Sequence, residues 1–183
     1  MPIENERKFV LNEDGQLEPR LAQAPGVTRS RLTQAYLDSA GVRIRSIETR
    51  SETGVKLRYV FSFKRPVDGQ MVEIETGIDE ADFKRLWTLS RETLRKTRYS
   101  WADGRFHWDI DFFKTGDGRT YFALAEVEMP EHEREPPAVP ASLASHLLGP
   151  APLGDPRFTS KRLADQSHAE RLLAEIREKG SVS

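Results

Sequence analysis

Charged residues recur at every second position along much of the first 130 residues, and each pair carries a single sign. Glu4 and Glu6 lead into Lys8. Arg43 and Arg45 follow, then Lys56 and Arg58 with Ser62 and Lys64 in the same phase, and then Glu73 and Glu75. Lys96 with Arg98, Asp109 with Asp111, and Glu126 with Glu128 complete the series. The intervening positions are apolar: Val42 and Ile44; Val55, Leu57, Tyr59, Phe61 and Phe63; Val72 and Ile74; Trp108, Ile110 and Phe112; Ala125, Val127 and Met129. A period of two is the period of a β-strand, which sends alternate side chains to opposite faces. Like charges two residues apart lie only ~7 Å from each other and repel. A merely solvated face would mix signs and include neutral polar residues. Two arrangements relieve the repulsion: acidic pairs can face basic pairs, or each set can hold a ligand of opposite sign. A sheet closed into a barrel allows both, because every charged face then converges on one lumen. The expected fold is therefore α+β, an antiparallel barrel with a charged interior, flanked by helices that cover its apolar exterior.

The rest of the chain fits one domain spanning residues 1–183. Gly and Pro clusters punctuate the strands. Phe83, Leu86, Trp87 and Leu94 recur at helical spacing behind Asp79, so a helix is expected from Asp79 to about Arg95. Seven of the eleven prolines fall between Pro130 and Pro156, which reads as loop with a short helix over Ala141 to Leu148. A last helix is expected over 161–179, with Leu172, Leu173 and Ile176 on one face and Gly180 as its stop. The two predicted long helices are the candidate covers for the barrel's outer face. Lys and Arg total 28 against 29 Asp and Glu, a net charge of −1, which argues against nucleic acid and membrane partners. Cysteine is absent, which removes disulfides and thiolate chemistry. No apolar run nears the ~20 residues of a membrane span. The N-terminus is charged from Glu4 and does not read as a secretory signal, so a cytoplasmic location is expected.

Such a lumen has a chemistry. Glu4, Glu6, Glu73, Glu75, Asp111, Glu126 and Glu128 offer hard oxygens suited to Mg²⁺ or Mn²⁺. Arg43, Arg45, Arg58, Lys64, Lys96 and Arg98 suit a polyanion, since guanidinium forks take phosphate oxygens in pairs. A compact phosphate bridged by divalent metal satisfies both sets, and metal-assisted phosphoryl transfer is the reaction class this inventory favours.

The motifs that carry these charges resemble a known family. Glu4-Asn5-Glu6-Arg7-Lys8 resembles the ExExK signature of the CYTH superfamily, the triphosphate tunnel metalloenzymes. In the family's order follow Gln34-Ala35-Tyr36-Leu37, Arg43-Ile44-Arg45, Ser62-Phe63-Lys64 with Ser in place of Thr, and Glu73-Ile74-Glu75. Lys96-Thr97-Arg98-Tyr99, Asp111, Glu126-Val127-Glu128, and Asp155, Arg157 and Lys161 complete the match, which covers residues 3 to about 164. The resemblance, strongest to the small bacterial single-domain members, implies an eight-stranded antiparallel tunnel that binds triphosphate with divalent metal and hydrolyses inorganic triphosphate to pyrophosphate and phosphate. It also implies roles. Glu126 and Glu128 would hold the metal that grips the phosphates, and Glu4, Glu6 and Asp111 a second metal beside the attacking water. Arg43, Arg45, Lys96, Arg98 and Arg157 would bind phosphate oxygens, with Lys8, Lys64 and Lys161 completing the cradle. Other members act on thiamine triphosphate or cyclise ATP, so those activities, nucleoside triphosphate hydrolysis and a low-turnover polyphosphate-binding module are the alternatives.

One position departs from the pattern. Many members carry Arg two residues before the first E-x-E, where this chain has Met71. Arg58, inward by parity, is the expected replacement. His107 shares the parity of Asp109 and Tyr36 that of the tunnel wall, so either can touch substrate, whereas Trp87 and Trp108 are expected in the outer core. An uncovered apolar face would make a homodimer of what is otherwise a monomer.

Overall fold

The computed structural model describes residues 5–37, 41–51, 54–68 and 70–180, with the backbone alone for Val67, Gln70 and Met71. Nine strands form one sheet: β1 (Glu6–Leu11), β2 (Thr28–Leu37), β3 (Val42–Ser51), β4 (Gly54–Val67), β5 (Gln70–Ile78), β6 (Ser90–Asp103), β7 (Phe106–Lys114), β8 (Thr120–Glu128) and β9 (Leu147–Pro150). Their order is β5-β4-β3-β2-β6-β7-β8-β1-β9, and every pairing is antiparallel. Helices α1 (Leu17–Gln23), α2 (Glu80–Trp87), α3 (Ala141–Ala144), α4 (Ser160–Leu163) and α5 (Gln166–Gly180) complete the α+β fold. The expected strand number was eight. The ninth comes from the proline-rich segment, where Leu147–Pro150 pairs with β1. Among the described residues the ladder runs from β5 to β9 without a pairing between those two ends. None of the described helices is long and apolar enough to cross a membrane.

The helix expected over residues 79–95 is much shorter. Asp79 caps it, accepting a hydrogen bond from Asp82 N at 2.7 Å, but α2 ends at Trp87. Ser90 Oγ donates to Trp87 O at 2.5 Å where the chain turns into β6, and Leu94, Lys96 and Arg98 then sit on a strand. Thr93 and Thr97 explain the difference, because their branched side chains favour a pleated strand over a helix. The C-terminal helix is likewise broken. Thr159 caps α4, and Asp165 then accepts from His168 N at 3.1 Å, starting α5 afresh. Helix α1 was not expected, since Gly15 reads as a turn signal in a stretch of short strands. Two buried leucines, Leu17 and Leu21, are what hold it against the sheet.

Parity assigns the two faces. Phe9, Leu11, Tyr99, Trp108, Ile110, Phe112, Ala125 and Val127 form the core on the outer face, beneath Leu17 and Leu21 of α1 and Leu143 of α3. Helix α2 covers the outer face farther along, packing on β2, β3 and β4 with Phe83 against Tyr59. Helix α5 does not cover that face, contrary to expectation. Val10, Leu94, Phe113 and Leu124 lie two residues from Lys8, Lys96, Asp111 and Glu126, so they share the charged face. They pack against Phe158, Leu163, Ala169 and Leu172. The C-terminal helices therefore plug one end of the charged face. These strands are long enough for one face to turn from charged to apolar along its length.

Gly41 is needed where it stands. Its φ is +78°, and its carbonyl accepts from Lys64 N at 2.8 Å. A Cβ there would meet Lys64 O at 2.3 Å, so no side chain fits between β3 and β4.

Candidate functional site

The inner face carries two charged sectors. The first spans β6, β7, β8 and β1. Antiparallel register sets Arg98 opposite Asp111, Asp109 opposite Glu126, and Glu126 opposite Lys8, so their side chains meet across neighbouring strands. Asp111 is fully buried. It accepts from Lys96 Nζ at 2.5 Å and from Arg98 Nε and Nη2, each at 2.7 Å. Arg98 also reaches Asp109 at 2.5 Å and Glu126 at 3.2 Å. Lys8 bridges Glu126 at 2.6 Å and Glu6 at 2.8 Å. Ser100 Oγ donates to Asp109 at 2.5 Å, and His107 Nε2, at the exposed margin, lies 3.3 Å from the same carboxylate.

Burial alone would push the Asp111 carboxyl up, but Arg98 and Lys96 hold it well below the usual carboxylate range. Glu126 is also held low against its burial, chiefly by Lys8. Burial opposes the charge on Lys8 too, yet Glu126 and Glu6 outweigh it and raise the ammonium. Burial and the adjacent Arg98 lower Lys96. The sector is thus a network of ionised groups that compensate one another out of water.

The second sector spans β2 to β5. Arg43 pairs with Glu73 and approaches Glu75 at 3.5 Å, and Arg45 pairs with Glu75. Ser62, completely buried, donates to Glu75 at 2.9 Å and accepts from Arg45 at 3.3 Å. Lys64 lies 3.5 Å from Glu73. This sector is incompletely satisfied. The Nε atoms of Arg43 and Arg45 and Nε2 of Gln34 are buried donors without a hydrogen-bond partner. Gln34 is the cross-strand neighbour of Arg45, and Tyr36 that of Arg43, so the unpaired donors are clustered. The Arg45 guanidinium is lowered to about 10 by burial and by facing Arg43, with Arg98 and Arg58 adding to the repulsion. Burial raises the Tyr36 phenol to about 12 against the field of Arg43. The Gln34 amide lies beside that phenol without a bond of good geometry. Lys161 of α4 sits 5.9 Å above the Tyr36 ring, which brings a C-terminal cation to this sector.

Of the residues expected in the site, Glu6, Lys8, Arg43, Arg45, Lys64, Glu73, Glu75, Lys96, Arg98, Asp111, Glu126 and Lys161 fall in these two sectors. Glu4 lies outside the described residues. Glu128 is exposed beside Glu6 and His107 in register. Arg157 is not brought to the face: its partners, Asp155 at 2.7 Å, Glu175 at 3.7 Å and the Phe158 ring, all belong to the C-terminal segment. Arg58 cannot stand in for an arginine at position 71. Met71 pairs with Pro66, eight residues along β4 from Arg58, or about 26 Å of extended strand. Gln34 enters the sequence reading only as part of the Gln34-Ala35-Tyr36-Leu37 motif, without a role, although it is a polar residue in the same phase as Tyr36. That reading also gave Asp109 no role, although the residue is buried in the network. Among the described residues no three carboxylate or histidine side chains stand together ready to hold a metal ion.

No family model matches the sequence, and no curated protein matches it. Similar solved structures include a candidate adenylate cyclase from Bacillus halodurans, 14% identical over 99% of this chain and 91% of that one, with a TM-score of 0.40. A conserved hypothetical protein from Pyrococcus furiosus is 11% identical over 69% and 79%, also at 0.40. A chain of the Schizosaccharomyces pombe Mediator head module is 8% identical over 95% and 96%, at 0.44. Likenesses at this level assign no activity to the chain.

Proposed function

We propose that the inner face binds the triphosphate group of a small molecule together with Mg²⁺ or Mn²⁺, and that the chain hydrolyses inorganic triphosphate to pyrophosphate and phosphate. The observation that carries this reading is the trio of buried, unpaired donors on Gln34, Arg43 and Arg45. A buried donor without an acceptor costs about 1–3 kcal/mol, and here three converge within one basic sector. A multiply charged anion with several oxygens would satisfy all of them. Arg43 and Arg45 would grip it by exchanging their carboxylate partners for phosphate, and Ser62, Lys64 and Lys161 stand close enough to add to the grip. Lys96 and Arg98, fixed by Asp111, would supply the positive field toward which charge on the phosphoryl oxygens spreads. Asp111 itself has its oxygens occupied by these cations, which makes it a positioning residue in this arrangement.

The donors are hard oxygens of the kind a divalent ion takes, and they would have to draw together around one. Glu6, Asp109 and Glu126 are oxygen donors on the adjacent strands β1, β7 and β8, with Glu128 next in register; Lys8 would have to give up part of its hold on Glu6 and Glu126, and Arg98 part of its hold on Asp109 and Glu126. A bound divalent ion supplies charge neutralisation and a more acidic water.

The test measures phosphate release and calorimetric binding with tripolyphosphate, ATP and thiamine triphosphate, each with Mg²⁺ or Mn²⁺. Arg45→Ala should weaken tripolyphosphate binding about 10- to 100-fold, the worth of one charged hydrogen-bonding group, with circular dichroism unchanged. Glu126→Gln should abolish release. Tripolyphosphate binding that ignores Arg45→Ala refutes the reading. A second reading, binding with little turnover, is favoured by the saturation of Asp111, and binding without release in any metal would select it.

A further inference from the structure

Two cations on the inner face stand apart from the networks above. Lys8, Arg43, Arg45, Lys64, Lys96 and Arg98 all have carboxylate partners. The side chains of Lys56 and Arg58, in the same phase on β4, have no ion pair or hydrogen bond among the described residues, and both residues are exposed. They line a cavity of about 310 Å³ with Thr49 and Ser51 of β3. Thr49 is the cross-strand neighbour of Lys56, and its hydroxyl meets that of Ser30 at 3.0 Å. Among the described residues the cavity thus offers two cations without a partner and a hydroxyl, and no carboxylate lines it.

Its position relative to Arg45 gives it a meaning. Val60 is the partner of Arg45, and Arg58 and Lys56 follow two and four residues on, about 7 and 13 Å along the same strand. Arg58 is near enough for its charge to be felt at Arg45. Arg43, Arg45, Arg58 and Lys56 therefore form one basic ridge, neutralised by carboxylates at one end and bare at the other. Like charges kept bare along a line are costly unless a polyanion lies along it.

We infer that Lys56 and Arg58 form a second anion subsite, which holds the far end of a linear polyphosphate longer than triphosphate while Arg43 and Arg45 hold the near end. This rests on the triphosphate reading of the Arg43–Arg45 sector, and the experiment separates the two. Calorimetry at fixed ionic strength and fixed Mg²⁺ compares tripolyphosphate with a longer linear polyphosphate of defined length, on wild-type protein, Lys56→Ala and Lys56→Arg. The longer chain should bind wild type about tenfold more tightly, as expected when two exposed charge contacts are added. Lys56→Ala should remove about threefold of that gain and leave tripolyphosphate binding unchanged, while Lys56→Arg should retain the gain. A gain that survives Lys56→Ala is the statistical effect of more binding registers and overturns the inference, as does equal affinity for the two chains. Failure of wild type to bind tripolyphosphate at all overturns the triphosphate reading instead.

Discussion

Asp111→Asn is the sharpest test of how the inner face is held. The side chain is fully buried and receives three hydrogen bonds from two cations. Asn keeps one acceptor oxygen, removes the charge, and turns an N–H₂ toward Lys96 or Arg98. Arg98 retains Asp109 and Glu126, but Lys96 has no other carboxylate within ion-pairing distance among the described residues and its side chain is only 4% exposed. The three bonds to the carboxylate would together be worth about 4.5–9 kcal/mol if each charge-assisted bond had its usual value, and Asn keeps part of them. They share one carboxylate and are not additive, so breaking one buried ion pair, about 3–5 kcal/mol, is the better guide. For a domain of this size about 4 kcal/mol lowers the melting temperature by roughly 8–16 °C. Urea unfolding followed by circular dichroism reads this directly, with the m-value as the check on two-state behaviour. The double variant Asp111→Asn/Lys96→Met should recover at least half the loss, because it removes the stranded ammonium. A loss below about 1 kcal/mol is smaller than any broken buried pair should cause. Such a loss, or a double variant worse than the single, would refute the claim that Lys96 and Asp111 compensate each other out of water.

Two further outcomes follow. Gly41→Ala should destabilise by at least about 2 kcal/mol, from the left-handed backbone and the contact with Lys64 O; thermal unfolding measures it, and an unchanged melting temperature would show that β3 and β4 are not this close. Acid should unfold the protein through Asp111 and Glu126. Both carboxyls are held low in the fold, so their contribution is present above the unfolded values near 4 and is lost as pH falls toward the folded ones. Urea midpoints should therefore fall steadily below about pH 4, with a shallower slope in Asp111→Asn.

The charged face was legible because parity is a property of the chain alone. Glu6 with Lys8, Arg43 with Arg45, and Glu73 with Glu75 share a face in any strand, and the register had only to bring them level. Depth was not legible. Nothing local distinguishes Asp111, fully buried, from Glu128, which is exposed, since the difference lies in how many strands and helices stand over each. The plug made by α5 was missed for the same reason. An amphipathic helix announces that it covers something, and the face it covers is fixed by the chain's path through Phe158 and Leu163. Arg58 shows the limit of parity itself: it shares the inner face with Ser62 and Lys64 but lies too far along β4 to meet position 71.

The two sectors also differ in how easily they can exchange partners, and that difference orders their roles. Glu75 is 42% exposed at its side chain, so water can solvate it when Arg45 turns to a phosphate. The exchange trades one anion for a more highly charged one at little desolvation cost, and it satisfies the unpaired Nε atoms as it proceeds. Asp111 has no such exit, because releasing Lys96 or Arg98 would leave a carboxylate buried without compensation. On the proposed reading, ligand enters through β2 to β5, where ion pairs are exchangeable. Asp111 keeps its pairs with Lys96 and Arg98, and these three residues act as a fixed electrostatic wall. Variants on the first side should therefore change affinity before stability, and variants on the second should change stability first.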